Sequence, residues 1–210
     1  MTNFNSADTN IQKNVKKVFE KKTKFNINNT DDFDKAIRHI ITLLDDSFTL
    51  LKQNSYGSSV FLAITAMEET SKTHFSMYIK HDDKTKMNND PLLNHSTKQQ
   101  LSISPVFNIG SRLPDVIGHK RVEELISLVY ENKGLLNLRN NAIYWNPSPD
   151  GNKFPNDYID KNLAQEILLF AIEVFDDSIA GYSSYSIAAS KHSDSLFEKI
   201  KEDYIRNKQL

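Results

Sequence analysis

The chain has 210 residues, of which 39% are hydrophobic and 25% are charged. The chain therefore has enough hydrophobic residues for a sizeable core, and its composition differs from that of a disordered chain. The 26 basic and 27 acidic residues give a formal net charge of −1. The overall charge therefore does not indicate nucleic-acid binding, and such binding would require a local basic patch. The absence of cysteine excludes disulfides and thiolate metal sites, and it is compatible with a reducing cytoplasm.

The hydropathy pattern argues against a membrane protein. No apolar run is long enough to cross a bilayer, and no hydrophobic block follows a basic start as in a secretory signal. We therefore expect a soluble, cytoplasmic protein without a membrane partner.

The first part of the chain predicts an arm followed by a long helix. Residues 1–29 are expected to hold a frayed start and a short, weakly amphipathic helix. Thr30, followed by Asp31 and Asp32, predicts a helix start, because a hydroxyl can cap free amides and acids complement the helix dipole. Apolar residues then recur every three or four positions for about five turns, which predicts a helix that packs in a bundle. They are Phe33, Ile37, Ile40, Ile41, Leu44, Phe48 and Leu51.

A second helix is predicted from about residue 59 to residue 80, after a turn at Gly57. It carries the polar sequence that includes Glu68, Glu69 and Lys72. Glu68 and Lys72 are four residues apart in the favourable order for a surface ion pair. The simplest interpretation of this stretch is therefore a charged face exposed to solvent.

The middle of the chain is more irregular. Residues 81–94 are expected to form a polar loop, where His81 beside two aspartates is only weak evidence for a metal site. His95 begins a short helical stretch that is predicted to end near Ile103. Pro105, Gly110 and Pro114 then predict an irregular connection, whose length is typical of a functional or mobile loop.

The remaining elements are also helical. Helices are predicted at 121–131, 136–145, 158–180 and 193–207, and a turn rich in proline, glycine and asparagine is expected at 146–155. No convincing alternating strand and no internal repeat is visible.

The segment around Arg139 has the strongest functional pattern. On a helix, Asn140 and Tyr144 lie one turn apart, and Arg139 shares their broad polar face. Arginine is well matched to phosphate, because its planar guanidinium stays charged and can bind two oxygens. The alternative interpretation is structural: Arg139 pairs with a carboxylate at a helix end, and Tyr144 and Trp145 belong to the core.

Three motifs, taken in order, resemble one protein family. They are FLAITAMEETSK at 61–72, HSTK at 95–98 and LRNNAIY at 138–144. Together they resemble the AbiV-type abortive-infection proteins of bacteria, which belong to the HEPN superfamily. The resemblance covers roughly residues 30–180, and Thr70 and Ser71 depart from the usual Leu-Gly of the first motif.

This resemblance implies an all-α, HEPN-like antiparallel helical bundle with extra terminal helices. The bundle would span residues 30–181, after the arm at 1–29 and before a C-terminal helix at 182–210 that packs on it. The resemblance also implies a role in phage defence, with a phage-encoded protein as a potential trigger. It further implies a homodimer in which the arginine motif faces the cleft between the two copies.

Many HEPN proteins are metal-independent ribonucleases that carry a histidine four to six residues after the arginine. Here Tyr144 stands at that place, and a phenol is a poor general base at neutral pH. The enzyme hypothesis therefore combines Arg139 and Tyr144 with two residues of the earlier motifs. His95 would replace the missing histidine, and Glu69 would hold His95 or Arg139. The residues expected to bind RNA are Asn140, Lys98 and Lys72, with no metal and no cofactor.

The binding hypothesis uses the same residues without catalysis. Glu69, Arg139, His95 and Lys98 would form a buried polar network that shapes a surface for a phage or host protein. A nucleotide- or metal-dependent enzyme has little support, because there is no glycine-rich phosphate loop and no acid cluster with ligand spacing.

Overall fold

The computed structural model describes residues 13, 15–109, 112–131 and 133–208. These residues form an all-α protein, as predicted. We number the helices from the first long one. They are α1 (Thr30–Lys52), α2 (Tyr56–Ser76), α3 (His95–Ile109), α4 (Arg112–Ile117), α5 (His119–Tyr130), α6 (Gly134–Asn141), α7 (Pro155–Tyr158), α8 (Lys161–Ile179) and α9 (Ser184–Lys208).

Helices α2 and α8 form the centre of the bundle. Both pack against each other, against α1 and against α3, while the C-terminal α9 packs on α1 and α8. Residues on nearly every side of α2 and α8 are consequently buried. The apolar stripe predicted for α1 faces this centre, with Phe33, Ile37, Ile40 and Leu44 buried.

The cap of α1 lies one residue before the predicted one. The Asn29 side chain accepts a hydrogen bond of 2.9 Å from the Asp32 amide, so Asn29 is the N-cap and Thr30 is the first helical residue. Asp31 and Asp32 lie in the first turn, where their charges complement the helix dipole.

A small second cluster joins the N-terminal segment to the bundle. Residues 15–19 are helical, and Val18 is buried with Phe75 and Leu92. Two short parallel strands follow, β1 (Lys22–Thr23) and β2 (Lys80–His81). The sequence pattern did not predict these strands, because two residues are too few to show an alternating period.

The segment after His95 is more regular than predicted. Helix α3 continues through Pro105 to Ile109, and α4 occupies most of the remaining stretch before Gly118. The expectation of an irregular connection at 104–118 was therefore wrong for the described residues. Packing of α3 against α2 and α8 outweighs the local cost of a proline inside a helix.

The segment around Arg139 is less regular than predicted. Helix α6 ends at Asn141, and Tyr144 and Trp145 lie beyond it. The amides of Ile143 and Tyr144 both bond to the Asn140 carbonyl, which closes the last turn before the chain leaves the helix. No helix within the described residues is long and apolar enough to cross a membrane.

Candidate functional site

A buried carboxylate on α2 is the centre of the candidate site. Glu68 is 1% exposed, although the sequence pattern placed it on a charged surface. Its oxygen Oε2 lies 2.5 Å from Nδ1 of His95 and 3.1 Å from Nζ of Lys98. Its other oxygen, Oε1, accepts a hydrogen bond of 2.8 Å from Nε2 of Gln99.

Helix α3 presents three of these partners on one face. Asn94 caps the helix by accepting a hydrogen bond of 2.9 Å from the Thr97 amide, so His95 is the first helical residue. Lys98 and Gln99 follow three and four positions later, which places them beside His95 on a helix. The start of α3 therefore surrounds Glu68 with an imidazole, an ammonium group and an amide.

Arg139 of α6 approaches the same carboxylate from another helix. Its Nε lies 3.6 Å from Oε1 of Glu68, and its guanidinium carbon lies 4.4 Å from the ring centroid of Phe61. The side chain is 15% exposed, and Nε is buried without a hydrogen-bond acceptor among the described residues. We define the Glu68 cluster as Glu68, His95, Lys98, Gln99 and Arg139.

A close backbone contact sets the position of α6 relative to α2. A Cβ atom at Gly57, in the first turn of α2, would lie 2.3 Å from the carbonyl oxygen of Ala142. Only glycine can bring the start of α2 this close to the end of α6. This contact limits how far Arg139 can move from Glu68.

The carboxylate that contacts both His95 and Arg139 is Glu68, whereas the sequence interpretation assigned that part to Glu69. Glu69 instead pairs with Lys72 and lies 3.9 Å from Nζ of Lys98. The predicted pair of Glu68 with Lys72 is therefore wrong as well. Lys72 also lies over the ring of Phe25, with Nζ 4.9 Å from its centroid.

Two predicted residues of the Arg139 segment lie outside the cluster. Asn140 is exposed, and Tyr144 is 60% exposed. The alternative that Tyr144 and Trp145 belong to the core is wrong, since Trp145 is 58% exposed. Both aromatic rings contact solvent where the chain leaves α6.

The residues considered as weak metal ligands are engaged elsewhere. His81 contacts Asp83 at 3.1 Å, and Asp82 pairs with Lys22 at 2.7 Å. No group of three or more histidine, cysteine, aspartate or glutamate side chains that could hold a metal ion occurs among the residues that the structure describes.

A second, partly buried ionic group lies near the C-terminal end of α8. Arg112 of α4 binds Glu173, Asp176 and Asp194, and its guanidinium carbon lies 4.2 Å from the ring centroid of Phe197. Burial raises the pKa of Asp176 to about 6, and the Arg112 charge and the hydroxyls of Ser190 and Ser193 only partly oppose this. These contacts join α4, α8 and α9, which favours a structural role for the group.

Sequence reasoning missed Glu68 and Gln99 as members of the cluster. The signal for Glu68 was weak because α2 is buried on most sides, so that its periodicity does not distinguish position 68 from position 69. Gln99 could have been found by its spacing, since a residue four positions after His95 lies on the same face of a helix.

The comparisons with known proteins agree with this architecture. A family model described as AbiV, of the HEPN group, matches residues 31–176, which is more than two thirds of the chain. The match includes α2, α3 and α6, the three helices that supply the Glu68 cluster. No curated protein and no solved structure matches the chain. The chain belongs to the AbiV family of abortive-infection HEPN proteins.

Proposed function

We propose that this protein is a metal-independent ribonuclease that cleaves cytoplasmic RNA in the phage-infected cell. The observation that carries the proposal is the contact between Glu68 and His95, on a carboxylate that Arg139 also approaches. A general base and a phosphate-binding cation thus belong to one cluster, although the histidine comes from a different motif than in other HEPN ribonucleases.

The contact with Glu68 orients His95 for proton transfer. An ionised carboxylate only accepts hydrogen bonds, so in the neutral imidazole Nδ1 carries the proton and Nε2 keeps its lone pair. Among the described residues, no side chain or backbone group bonds to Nε2, and the His95 side chain is 46% exposed. RNA can therefore reach the basic nitrogen.

The proposed reaction uses the 2′-hydroxyl of RNA as the nucleophile. His95 Nε2 takes the hydroxyl proton while the 2′-oxygen forms a bond to the adjacent phosphorus. The bond from phosphorus to the 5′-oxygen breaks, that oxygen takes a proton from water, and the resulting hydroxide takes the proton held by His95. The products are a 2′,3′-cyclic phosphate and a 5′-hydroxyl, and no metal takes part in these steps.

Arg139 supplies positive charge to the reacting phosphate. Its Nε is buried 3.6 Å from Glu68, beyond normal hydrogen-bond length, so contact with an anion would be made by the rest of the guanidinium, on a side chain that is 15% exposed. A guanidinium fixed in a partly buried site stabilises developing negative charge better than one in water. Lys98 is only 8% exposed, so its part in the cluster is the ion pair with Glu68 rather than contact with RNA.

Tyr144 has a secondary place in this proposal. It occupies the position of the usual HEPN histidine, but its ring is exposed beyond the end of α6. Together with Asn140, it can contact the RNA chain without taking part in proton transfer. The substitution of tyrosine for histidine at 144 is then compatible with catalysis by His95.

The test is cleavage of labelled RNA by the purified protein in EDTA. We expect cleavage that yields cyclic phosphate ends, and loss of cleavage in Arg139→Ala and in His95→Ala. Lys191→Ala, at an exposed position of α9, is the matched control and should cleave normally. Cleavage that persists in His95→Ala would show that His95 is not the general base. If no preparation of the protein cleaves RNA, the ribonuclease proposal is rejected.

A non-catalytic binding module is the second candidate, and exposed apolar residues favour it. Ile143, Tyr144, Trp145 and Phe154 are all exposed. Asn146 pairs with Lys153 in an antiparallel bridge, which brings Trp145 and Phe154 next to each other. Such a patch is typical of an interface, and a second copy of this chain or a phage-encoded protein is the proposed partner.

The partner hypothesis is tested by measuring mass in solution. We expect a homodimer in sedimentation, and a monomer after Trp145→Ser combined with Phe154→Ser. Tyr182→Ser, at an exposed aromatic residue elsewhere on the surface, is the control and should stay dimeric. Tight binding of a phage protein by a chain that cleaves no RNA would favour the binding module over the ribonuclease.

A further inference from the structure

A basic groove lies between the N-terminal segment and the loop that follows β2. We define the basic groove by its lining residues, which enclose about 500 Å³. They are Lys21, Lys22, Asp82, Lys84, Thr85, Lys86, Asn88 and Asn89. None of these residues belongs to the Glu68 cluster or to the motifs that resemble the family.

The two walls of the groove are fastened to each other. The buried carboxylate of Asp90 accepts hydrogen bonds from Thr23 Oγ1 at 3.0 Å, from the Lys24 amide at 2.8 Å and from the Leu92 amide at 3.0 Å. Parallel pairing of β1 with β2 adds backbone contacts between the same segments. The lysines are therefore carried by a preorganised backbone.

The charge of the groove is strongly positive. Its one carboxylate, Asp82, pairs with Lys22 at 2.7 Å, and this contact lowers the pKa of Asp82. Lys21, Lys84 and Lys86 are exposed, and no carboxylate within the described residues pairs with them. The groove therefore carries uncompensated positive charge in a chain whose formal net charge is −1.

We propose that the basic groove binds the phosphodiester backbone of an RNA strand and holds it for cleavage at the Glu68 cluster. Closely spaced lysines bind a polyanion because they release its condensed counterions. The side-chain amides of Asn88 and Asn89 can bond to phosphate or ribose oxygens. A concave groove fits a strand, whereas a membrane surface would meet only its rim. This inference rests on the proposed ribonuclease function.

The groove is close enough to the cluster for one strand to reach both. His95 follows Asn89 by six residues, so their Cα atoms can be no more than about 20 Å apart. The loop between them is shortened further by the turns at Met87–Asn89 and Pro91–Leu93. A short stretch of RNA that leaves the groove can therefore reach the exposed side chain of His95.

The test measures binding of a fluorescent 2′-O-methyl oligonucleotide. This probe lacks the nucleophilic hydroxyl and survives in the presence of the unmodified protein. We expect Lys84→Gln combined with Lys86→Gln to weaken binding about fivefold or more at low salt. Two lost phosphate contacts should also reduce the slope of log affinity against log salt by about 1.4. The matched control is Lys191→Gln combined with Lys199→Gln, at exposed lysines of α9.

The binding experiment tests RNA binding by the groove independently of RNA cleavage by the Glu68 cluster. If the groove variant and the control variant bind the oligonucleotide with equal affinity, the proposal that the groove binds RNA is rejected. It is also rejected if the probe does not bind the unmodified protein while vesicles rich in anionic lipid do. If Lys84→Gln combined with Lys86→Gln loses affinity and the control does not, RNA binding by the groove is supported. This holds even when ordinary RNA is not cleaved, in which case only the ribonuclease proposal is rejected. If RNA is cleaved, the groove variant should raise KM and leave kcat unchanged.

Discussion

Nδ1 of His95 lies 2.5 Å from Oε2 of Glu68, although 27 residues separate them in the chain. The same carboxylate faces Lys98 and Arg139, so a single acidic side chain lies beside two basic side chains in a largely buried site. Removing its charge would leave Lys98 buried beside no carboxylate except the more distant Glu69. The cluster therefore contributes to stability as well as to the proposed chemistry.

We expect Glu68→Gln to lower the free energy of unfolding by about 3 kcal/mol, because the substitution leaves a buried ammonium group without its charge partner. Urea unfolding of the purified protein measures this effect. Glu69→Gln is the control, and it should change stability by less than about 1 kcal/mol because its ion pair is more exposed. Equal effects of the two substitutions would contradict the central position of Glu68.

We expect His95→Gln to reduce kcat for RNA cleavage by a factor of about 100 or more, which is the usual contribution of a positioned general base. Tyr144→Phe should retain nearly the full rate, because an exposed phenol at the end of α6 does not transfer the proton in this mechanism. Initial rates on a labelled RNA measure both effects. A severe loss of rate in Tyr144→Phe with an intact His95→Gln enzyme would reverse the two assignments.

The stability of the protein should depend on the protonation of Asp177. Burial and the nearby charges of Glu173 and Asp176 raise the pKa of Asp177 to about 6, from an ordinary value of 3.8. Between these values the folded chain binds the proton more tightly than the unfolded chain. The contribution of Asp177 to stability is therefore greatest below about pH 4 and is lost as the pH rises through 6.

We expect Asp177→Asn to abolish this decrease in stability at rising pH. At pH 7 the variant should be more stable than the unmodified protein by about 1 kcal/mol, after allowance for solvent screening of a half-buried group. At pH 4 the two proteins should be nearly equal in stability. Thermal unfolding at both pH values measures the difference, with Asp46→Asn at an exposed position of α1 as the control. A gain that is the same at both pH values would exclude titration as its cause.

The close contact between Gly57 and Ala142 predicts a packing defect. We expect Gly57→Ala to lower stability by about 1–3 kcal/mol, because its Cβ would meet a backbone carbonyl oxygen that cannot rotate away. Ser58→Ala, at the next position of the same helix, should have a much smaller effect. Calorimetry measures both variants, and an unchanged melting temperature for Gly57→Ala would show that α6 can shift without cost.

The sequence predicted most of the fold and a smaller part of the site. The periodicity of α1 was sufficient because this helix has one buried and one exposed face. It was insufficient for α2, whose burial on most sides conceals which of two adjacent glutamates points to α3 and α6. The spacing of His95, Lys98 and Arg139 along the chain also says nothing about tertiary contact. Only packing of the helices places these residues around one carboxylate.

The Glu68 cluster is assembled from three helices that leave the ribosome one after another. A nascent chain that has emerged as far as α3 already contains Glu68, His95 and Lys98, but it still lacks the guanidinium of Arg139. Any chemistry that needs all of these groups must therefore wait until synthesis has passed α6. A cell that translates this protein is not exposed to the complete cluster while the polypeptide is still short.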